Sequence, residues 1–268
     1  MIRALCDGFL NTPSLWEKNQ FGIQQFEFPS LALPSFQPTY IPSNLRLGHQ
    51  MEYVFKQLVD YSEAYSVLMH NLPISENGIT KGEIDFVLQR RETGQFIHVE
   101  LTYKFYLIDP DIPEPIHSFI GPNRRDTLFA KMEKIRNRQF PLIHSKAGIE
   151  ALANKGIDHL QLSQQCCFKA QLFQPYMSTK INMAGLNKDC MAGYWLRSDD
   201  FEGSAFEQAR FYIPTKSEWL LEPQTQVAWK THTEALIEIQ NHMADKMAPM
   251  LWIKWPDKGF EKMFVVWW

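Results

Sequence analysis

Two stretches of alternating polarity constrain the fold of this chain most strongly. Residues 82–89 and 96–107 each alternate apolar and polar side chains, and Glu92-Thr93-Gly94 lies between them. A period of two is typical of a strand with one buried face, and a glycine-containing turn between two such runs predicts a hairpin. The sequence therefore predicts a β-hairpin whose two faces differ in chemistry.

The polar face of this predicted hairpin carries both acids and bases. The residues expected to share it are Glu83 and Asp85 on the first strand, and His98, Glu100, Thr102 and Lys104 on the second. Because the strands pair, we expect the carboxylates of Asp85 and Glu100 to converge on one side of the sheet. Paired carboxylates with a nearby lysine are typical of a phosphodiesterase that uses a divalent metal.

Further periodic segments predict helices and strands around the hairpin. We expect helices over 45–66, 124–139 and 228–246, and strands over 166–173, 193–197, 209–214, 250–255 and 260–267. Less regular segments are a helical lead-in over 1–25, a proline-rich wrap over 28–43, a turn over 71–81 and a loop over 109–122. The order helix, strand, strand, helix indicates an α/β protein with a mixed central sheet flanked by helices.

The length of 268 residues is enough for one large domain or two small ones. We expect a lead-in and wrap over 1–44, a core over 45–145 and a C-terminal α+β extension over 146–268. The sequence leaves open whether the extension is a separate domain or continues the core sheet.

Composition narrows the function classes. A net charge of −3 argues against a protein that coats DNA by bulk charge, although a local basic groove is compatible with it. The four cysteines lack C-x-x-C spacing, so we expect reduced thiols and no structural zinc. No apolar run approaches the ~18 residues of a membrane span. We therefore expect a cytoplasmic protein without membrane segments.

The segments Gly82-Glu-Ile-Asp85 and His98-Val-Glu100, followed by Lys104, resemble the PD-(D/E)XK, or restriction-endonuclease-like, superfamily. Its sites join a strand aspartate to a Glu-x-Lys on the next strand, often with an acid from the preceding helix. The resemblance implies a restriction-endonuclease-like core that binds Mg²⁺ or Mn²⁺ through Asp85 and Glu100. It also implies that the substrate is nucleic acid, DNA above all.

The same resemblance assigns roles to further residues. Glu52, on the predicted preceding helix, matches the helical acid, and Lys104 is the candidate lysine. Lys104 departs from the pattern, because the position two residues after Glu100 is Thr102 and Lys104 lies one pleat further along. We count Glu83, His98 and Thr102 as accessory candidates.

A closer resemblance, to the bacterial domain-of-unknown-function 1853 family, covers most of the chain. That family groups with the same nuclease superfamily and has Glu-x-x-x-Lys as its own pattern, which favours Lys104. Residues that carry this resemblance include Leu47-Gly48, Glu52, Gly82–Phe86, His98–Leu107, Gly121-Pro-Asn, Asp126, Lys131, Arg138-Gln139, Gly193-Tyr-Trp195, Trp219–Pro223 and Phe264–Val266.

A basic stripe is expected on the predicted helix over 124–139. Its members are Arg124, Lys131, Lys134 and Arg138. Such a stripe is typical of a surface that binds a phosphate backbone, and equally of an ordinary solvated helix face. Lys131 could instead point toward the acids and supplement Lys104.

Three functions remain open from the sequence. The first is a Mg²⁺-dependent nuclease or nuclease-like protein that hydrolyses phosphodiester bonds. The alternative is a catalytically lapsed nuclease fold that binds nucleic acid or a protein. The third is an enzyme that acts on another phosphate-containing ligand, although the sequence has no P-loop or dinucleotide glycine motif. Simpler interpretations also stand: Lys104 could form a structural ion pair with Glu100, and Glu52 could lie on a solvated face. An exposed Trp267-Trp268 pair would indicate a homo-oligomer.

Overall fold

A computed structural model describes residues 2–177 and 181–268, and Met1 and residues 178–180 lie outside the described part. The chain forms an α/β fold with a mixed sheet and helices, as the sequence predicts. It divides into two compact units that interleave along the chain. The first unit comprises Met1–Phe9, Ser14–Tyr103 and Ala130–Lys169, and the second comprises Leu10–Pro13, Lys104–Phe129 and Ala170–Trp268.

The described residues contain α-helices, strands and several short 3₁₀ turns. The α-helices are α1 (Ile2–Asn11), α2 (Leu47–Ser62), α3 (Leu128–Lys134), α4 (Lys146–Ala153), α5 (Ser198–Phe201) and α6 (His232–Ala244). The strands are β1 (Asn19–Gln20), β2 (Ile23–Gln24), β3 (Tyr65–Glu76), β4 (Ile79–Arg90), β5 (Phe96–Ile108), β6 (Phe119–Ile120), β7 (Leu162–Pro175), β8 (Met191–Arg197), β9 (Arg210–Tyr212), β10 (Met250–Trp255) and β11 (Gly259–Val266). Strands β5 and β7 contribute residues to both units.

The predicted hairpin is confirmed as β4 and β5 in the first unit. The strands pair antiparallel, with Phe86 opposite Val99 and Val87 opposite His98. Gly94, with a φ of 72°, lies in the tight turn between them. Within this unit the strand order is β3-β4-β5-β7, so the hairpin has a neighbour on each side.

The predicted turn over 71–81 is wrong, because most of it is strand. β3 pairs antiparallel with β4, and only Asn77-Gly78 turns, with φ values of 52° and 76°. Two positive φ values suit a two-residue hairpin, and asparagine with glycine is the preferred pair there. Pro73 is accommodated because β3 is the edge strand of the sheet order. The preceding helix, expected to reach residue 66, ends at Ser62.

The predicted helix over 124–139 is also corrected. Arg124 has a φ of 53° and lies in a turn, and the α-helix begins only at Leu128. It then widens into a π-helical turn over Ile135–Gln139 before a 3₁₀ turn over Phe140–His144. The four basic residues therefore do not form one α-helical stripe. Leu128, Met132 and Ile135 are buried and form the packing face of this segment.

Aromatic packing in the first unit fixes α2 against the hairpin. Phe55 of α2 contacts Phe86 of β4, with ring centroids 4.6 Å apart, and Phe26 and Phe28 also pack on Phe55. Phe9 of α1 packs on Phe28 and Phe55, so the predicted lead-in is helical over Ile2–Asn11. Residues 19–24 instead form the small hairpin of β1 and β2. This cluster holds the helix that carries Glu52.

In the second unit the strand order is β7-β8-β11-β10-β9, and β6 pairs with the end of β5. β8 runs parallel to β7 and to β11, while β10 is antiparallel to β9 and β11, so the sheet is mixed. The strands expected over 166–173, 193–197, 209–214, 250–255 and 260–267 are all found; β10 has the predicted bounds, and the ends of the others are shifted. The helix expected over 228–246 is α6, which begins at a capping box of Thr231 and Glu234.

No α-helix among the described residues is long and apolar enough to cross a bilayer. The division of the chain into segments 1–44, 45–145 and 146–268 stays a prediction.

Candidate active site

The candidate site lies where the ladder between β4 and β5 opens. Backbone pairing runs from Gln89 and Phe96 to Phe86 and Val99, so the next opposed positions are Asp85 and Glu100. There the amide of Leu101 donates a 2.9 Å hydrogen bond to Oδ2 of Asp85. A side-chain carboxylate thus replaces the backbone partner and is held beside Glu100. The convergence expected from strand alternation is present.

Glu100 is buried completely and is held from both sides. His98 Nε2 lies 2.9 Å from Glu100 Oε1, and the Gln139 amide donates to Glu100 Oε2. Gln164 Nε2 donates to the carbonyl of Phe140 at 2.6 Å and lies 3.2 Å from His98 Nδ1. Since Gln164 presents a donor, His98 Nδ1 accepts, and the Nε2 proton of His98 is left to donate to Glu100.

Burial sets the electrostatics of the carboxylate pair. It raises the pKa of Glu100 to about 7. It raises the pKa of Asp85 well above its ordinary value, and the neighbouring Glu100 charge raises it further. Burial also lowers the pKa of His98 to about 4, so His98 is neutral at neutral pH. Burial therefore favours the protonated form of both carboxyl groups, and a cation bound between them would favour the charged form instead.

Lys131 reaches this carboxylate pair from α3. It is partly buried, and its Nζ donates a 3.1 Å hydrogen bond to Oε1 of Gln139, whose amide contacts Glu100. Burial lowers the pKa of Lys131, and nearby groups that include Asp85 and Glu100 act in the opposite direction. In turn, Lys131 lowers the pKa of both carboxyl groups. The lysine is thus an electrostatic partner of the pair.

The π-helical turn explains how Gln139 and Lys131 share a face. In a regular α-helix, eight residues at 100° each would leave the two side chains about 80° apart. A π-helical turn absorbs one extra residue, so the eight steps behave as about seven and return to within roughly 20° of the starting face. The local widening over Ile135–Gln139 therefore brings the Gln139 carboxamide over Glu100.

Glu52 lies at the margin of the site on α2. Asn71 of β3 donates to its Oε2 at 2.7 Å, and His49 Nδ1 lies 3.1 Å from the same atom. Its side chain is only 17% exposed. The charge of Glu52 contributes to the raised pKa of Asp85, which indicates that the two acids are neighbours. The solvated-face interpretation of Glu52 therefore does not describe its surroundings.

Lys104, the candidate lysine from the sequence, is bound to an acid of the second unit. Its Nζ lies 2.7 Å from Oδ2 of Asp126. Asp126 is fixed by close packing on Gly121, where an added Cβ would lie 2.0 Å from Asp126 Oδ1. Thr102, at the position where Glu-x-Lys has its lysine, is buried. Its hydroxyl has no hydrogen-bond partner among the described residues.

The other site residues predicted from the sequence lie outside the hydrogen-bonded group around Asp85 and Glu100. Glu83 is half-buried and lies opposite Pro73 in the β3–β4 ladder. Lys134 and Arg138 are exposed, and the charge of Lys134 lowers the pKa of Glu100. Arg124 belongs to the second unit, where it lies 3.3 Å from Asp109 and stacks on Trp268 at 4.4 Å.

Sequence reasoning did not single out Gln139, Gln164 or Asn71, although each bonds a site residue. Gln139 belongs to the Arg138-Gln139 pair, one of the segments that carry the family resemblance. Nothing else in the sequence indicated that Gln139 lies in the site. Helical periodicity could not find it, because the π-helical turn shifts the phase. Gln164 and Asn71 have amide side chains and lie in strands. The alternation of polar and apolar residues does not distinguish them from other polar residues of those strands.

Two carboxylates are enough for one class of metal. Among residues 2–177 and 181–268, no three His, Cys, Asp or Glu side chains are grouped so that they could hold an ion by themselves. Mg²⁺ typically takes one or two protein carboxylates and completes its shell with water and substrate phosphate. The oxygens of Asp85 and Glu100 fit that requirement, and they do not fit a closed structural metal site.

Fold and site together define an α/β protein with an acidic pair, a half-buried aspartate and a buried glutamate, on adjacent antiparallel strands. Over residues 23–266 the chain matches the family model described as Domain of unknown function (DUF1853). The chain belongs to this family, which confirms the family expected from the sequence. No curated protein matches the chain, and no solved structure does.

Proposed function

We propose that the protein is a metal-dependent phosphodiesterase of the PD-(D/E)XK superfamily that acts on nucleic acid, with DNA as the first candidate. The observation that carries the proposal is the pairing of Asp85 and Glu100 at the point where β4 and β5 separate. Forcing two carboxyl groups together under burial is costly, and proteins tolerate such a cost mainly at functional sites.

The residues around the pair support a metal-binding role. The Leu101 amide orients Asp85, and His98 with Gln139 orients Glu100, so both carboxylates are held before any ligand arrives. Preorganised oxygens lower the cost of binding a hard cation. A bound Mg²⁺ or Mn²⁺ supplies an activated water and stabilises charge on the phosphate. Glu52 adds a third acid at the margin, where it would assist through water.

Exposed basic residues support a polyanionic substrate. Lys134 and Arg138 lie on the helical segment that carries Lys131 and Gln139. Cations beside an acidic catalytic pair would bind the phosphates that flank a scissile bond. Because the net charge of the chain is −3, we expect only such local basic residues to contact the phosphates. Binding through lysine and arginine contacts to phosphate should weaken steeply as the salt concentration rises.

One observation favours a second candidate function. Lys104 is bound to Asp126, and Thr102 stands at the usual lysine position. A site that lacked any functional lysine would bind nucleic acid or a protein without cutting. This alternative predicts salt-sensitive binding with no cleavage at any metal concentration.

The test is a cleavage assay with single-stranded, duplex and branched DNA in Mg²⁺ or Mn²⁺. We expect the wild-type protein to cut at least one of these substrates. Asp85→Asn and Glu100→Gln should each lower the cleavage rate by about 100-fold or more, because each removes the negative charge of a carboxylate that would bind the metal. Glu150→Gln, on an exposed face of α4, is the matched control. Equal cleavage by all four proteins would contradict the assignment.

A further inference from the structure

The lysine that the sequence resemblance assigns to this site has a partner of its own. Lys104 Nζ and Asp126 Oδ2 are 2.7 Å apart, and Gly121 donates its amide to the Asp126 carbonyl at 2.8 Å. An added Cβ at Gly121 would collide with the Asp126 carboxylate, so this position keeps the acid close. Lys104 is therefore held in an ion pair that belongs to the second unit.

Thr102 brings no charge to the position where Glu-x-Lys has its lysine. It lies two residues after Glu100 on β5, so it shares the face of Glu100. It is 3% exposed, and Oγ1 has no hydrogen-bond partner among the described residues. A buried hydroxyl without a partner is uncommon, and it marks a place where water or a ligand atom would be bound.

Resting on the proposed function, we propose that Lys131 of α3 is the catalytic lysine of this site and that Gln139 is its positioning residue. A continuous chain of hydrogen bonds carries the assignment, from the Lys131 ammonium to the Gln139 carboxamide and on to the Glu100 carboxylate. The lysine thus comes from the helix that follows the hairpin and not from β5.

Gln139 couples the lysine to the state of Glu100. Its NH₂ group faces the carboxylate and its oxygen faces the ammonium, so one amide bridges opposite charges. A cation on Glu100 would compete with the Gln139 NH₂ group for the carboxylate oxygen. A Gln139 side chain that turned away from Glu100 would also release the Lys131 ammonium, which would then donate to the scissile phosphate or the attacking water.

The first measurement compares two lysine variants on fluorescein-labelled single-stranded, duplex and branched DNA with Mn²⁺. We expect Lys131→Met to lower the cleavage rate by about 100-fold or more, the range typical of a lost proton donor or charge stabiliser. Lys104→Met, which also removes one lysine charge, should stay within roughly threefold of wild type.

The second measurement separates a catalytic from a structural role. Calorimetry with Mn²⁺ alone should show that Lys131→Met binds the ion as tightly as wild type or more tightly, because a cation beside Asp85 and Glu100 opposes a second one. Gln139→Ala should bind Mn²⁺ more tightly, since no amide then competes for Glu100. Collapse of the site would instead weaken binding in both variants.

A rescue experiment completes the test. Thr102→Lys places a lysine on β5 at the usual position, and we expect it to restore cleavage at least about tenfold in the Lys131→Met background. The inference is overturned if Lys131→Met cuts as fast as wild type, or if Lys104→Met alone loses the activity. A wild-type protein that cuts none of the three DNAs refutes the proposed function itself, and the inference with it.

Discussion

Replacing Glu100 by glutamine should stabilise the metal-free protein while it abolishes the proposed activity. Glu100 is completely buried, and burial raises its pKa from an ordinary 4.5 to about 7. Glutamine has nearly the same shape and resembles the protonated acid. It still accepts from His98, and the Gln139 amide can turn its oxygen toward the new NH₂ group.

The size and sign of the effect follow from proton linkage. Between pH 4.5 and about 7 the folded protein holds the Glu100 proton and the unfolded chain releases it, so raising the pH favours unfolding. The stability due to the protonated acid is complete below the lower value and lost above the upper one. A pKa difference of this size is worth about 3 kcal/mol, or roughly 5–10 °C in the unfolding midpoint.

Urea and thermal unfolding with EDTA at pH 5 and pH 8 would measure this. We expect Glu100→Gln to exceed wild type by up to about 3 kcal/mol at pH 8 and to differ little at pH 5, where the folded acid is protonated. Glu150→Gln, which removes an exposed carboxylate of α4, should show no such change with pH. A Glu100→Gln protein that is less stable than wild type at pH 8 would show that the buried Glu100 carboxylate does not destabilise the fold.

Three other perturbations test separate parts of the structure. Mn²⁺ should raise the unfolding midpoint of wild type at pH 8 and leave Asp85→Asn unchanged, because binding to the folded state stabilises it. His98→Ala leaves buried Glu100 without its donor, and urea unfolding at pH 8 should show a loss of about 3 kcal/mol. Gly193→Ala puts a Cβ 2.1 Å from the Lys262 carbonyl oxygen, and thermal unfolding should show a loss of about 2 kcal/mol.

A contradicting result or a control variant is available for each of these three predictions. A midpoint of Asp85→Asn that rises with Mn²⁺ as much as wild type would place the ion elsewhere. The loss in His98→Ala should shrink at pH 5, and an equal loss at both values would mean that packing alone is responsible. Gly48→Ala in α2, where an added Cβ meets nothing within 4 Å, is the control for Gly193→Ala.

Local pattern was enough to predict the central hairpin and the convergence of its acids. Alternation fixes which face Asp85 and Glu100 share, and antiparallel pairing of β4 with β5 makes them opposed positions. The alternation and the turn between the strands are visible in the sequence of a single chain, so both features could be predicted without the structure.

Other features depend on contacts that a local pattern does not contain. β3 was missed because Pro73 argues against a strand, and only its place at the edge of the sheet makes it acceptable. The π-helical turn shifts the phase that a period of 3.6 predicts, which hid Gln139. The ion pair of Lys104 with Asp126 joins residues 22 apart, across an irregular loop. This ion pair engages Lys104, and it is the reason that we propose Lys131 as the lysine of the site.

The measurement that most directly tests the central claim is an anomalous difference map from crystals soaked in Mn²⁺. We expect one strong peak bound by carboxylate oxygens of both Asp85 and Glu100, at about 2.1 Å, with Gln139 displaced from Glu100. No peak at saturating Mn²⁺, or a peak that neither carboxylate contacts, would contradict a metal-dependent site on this hairpin.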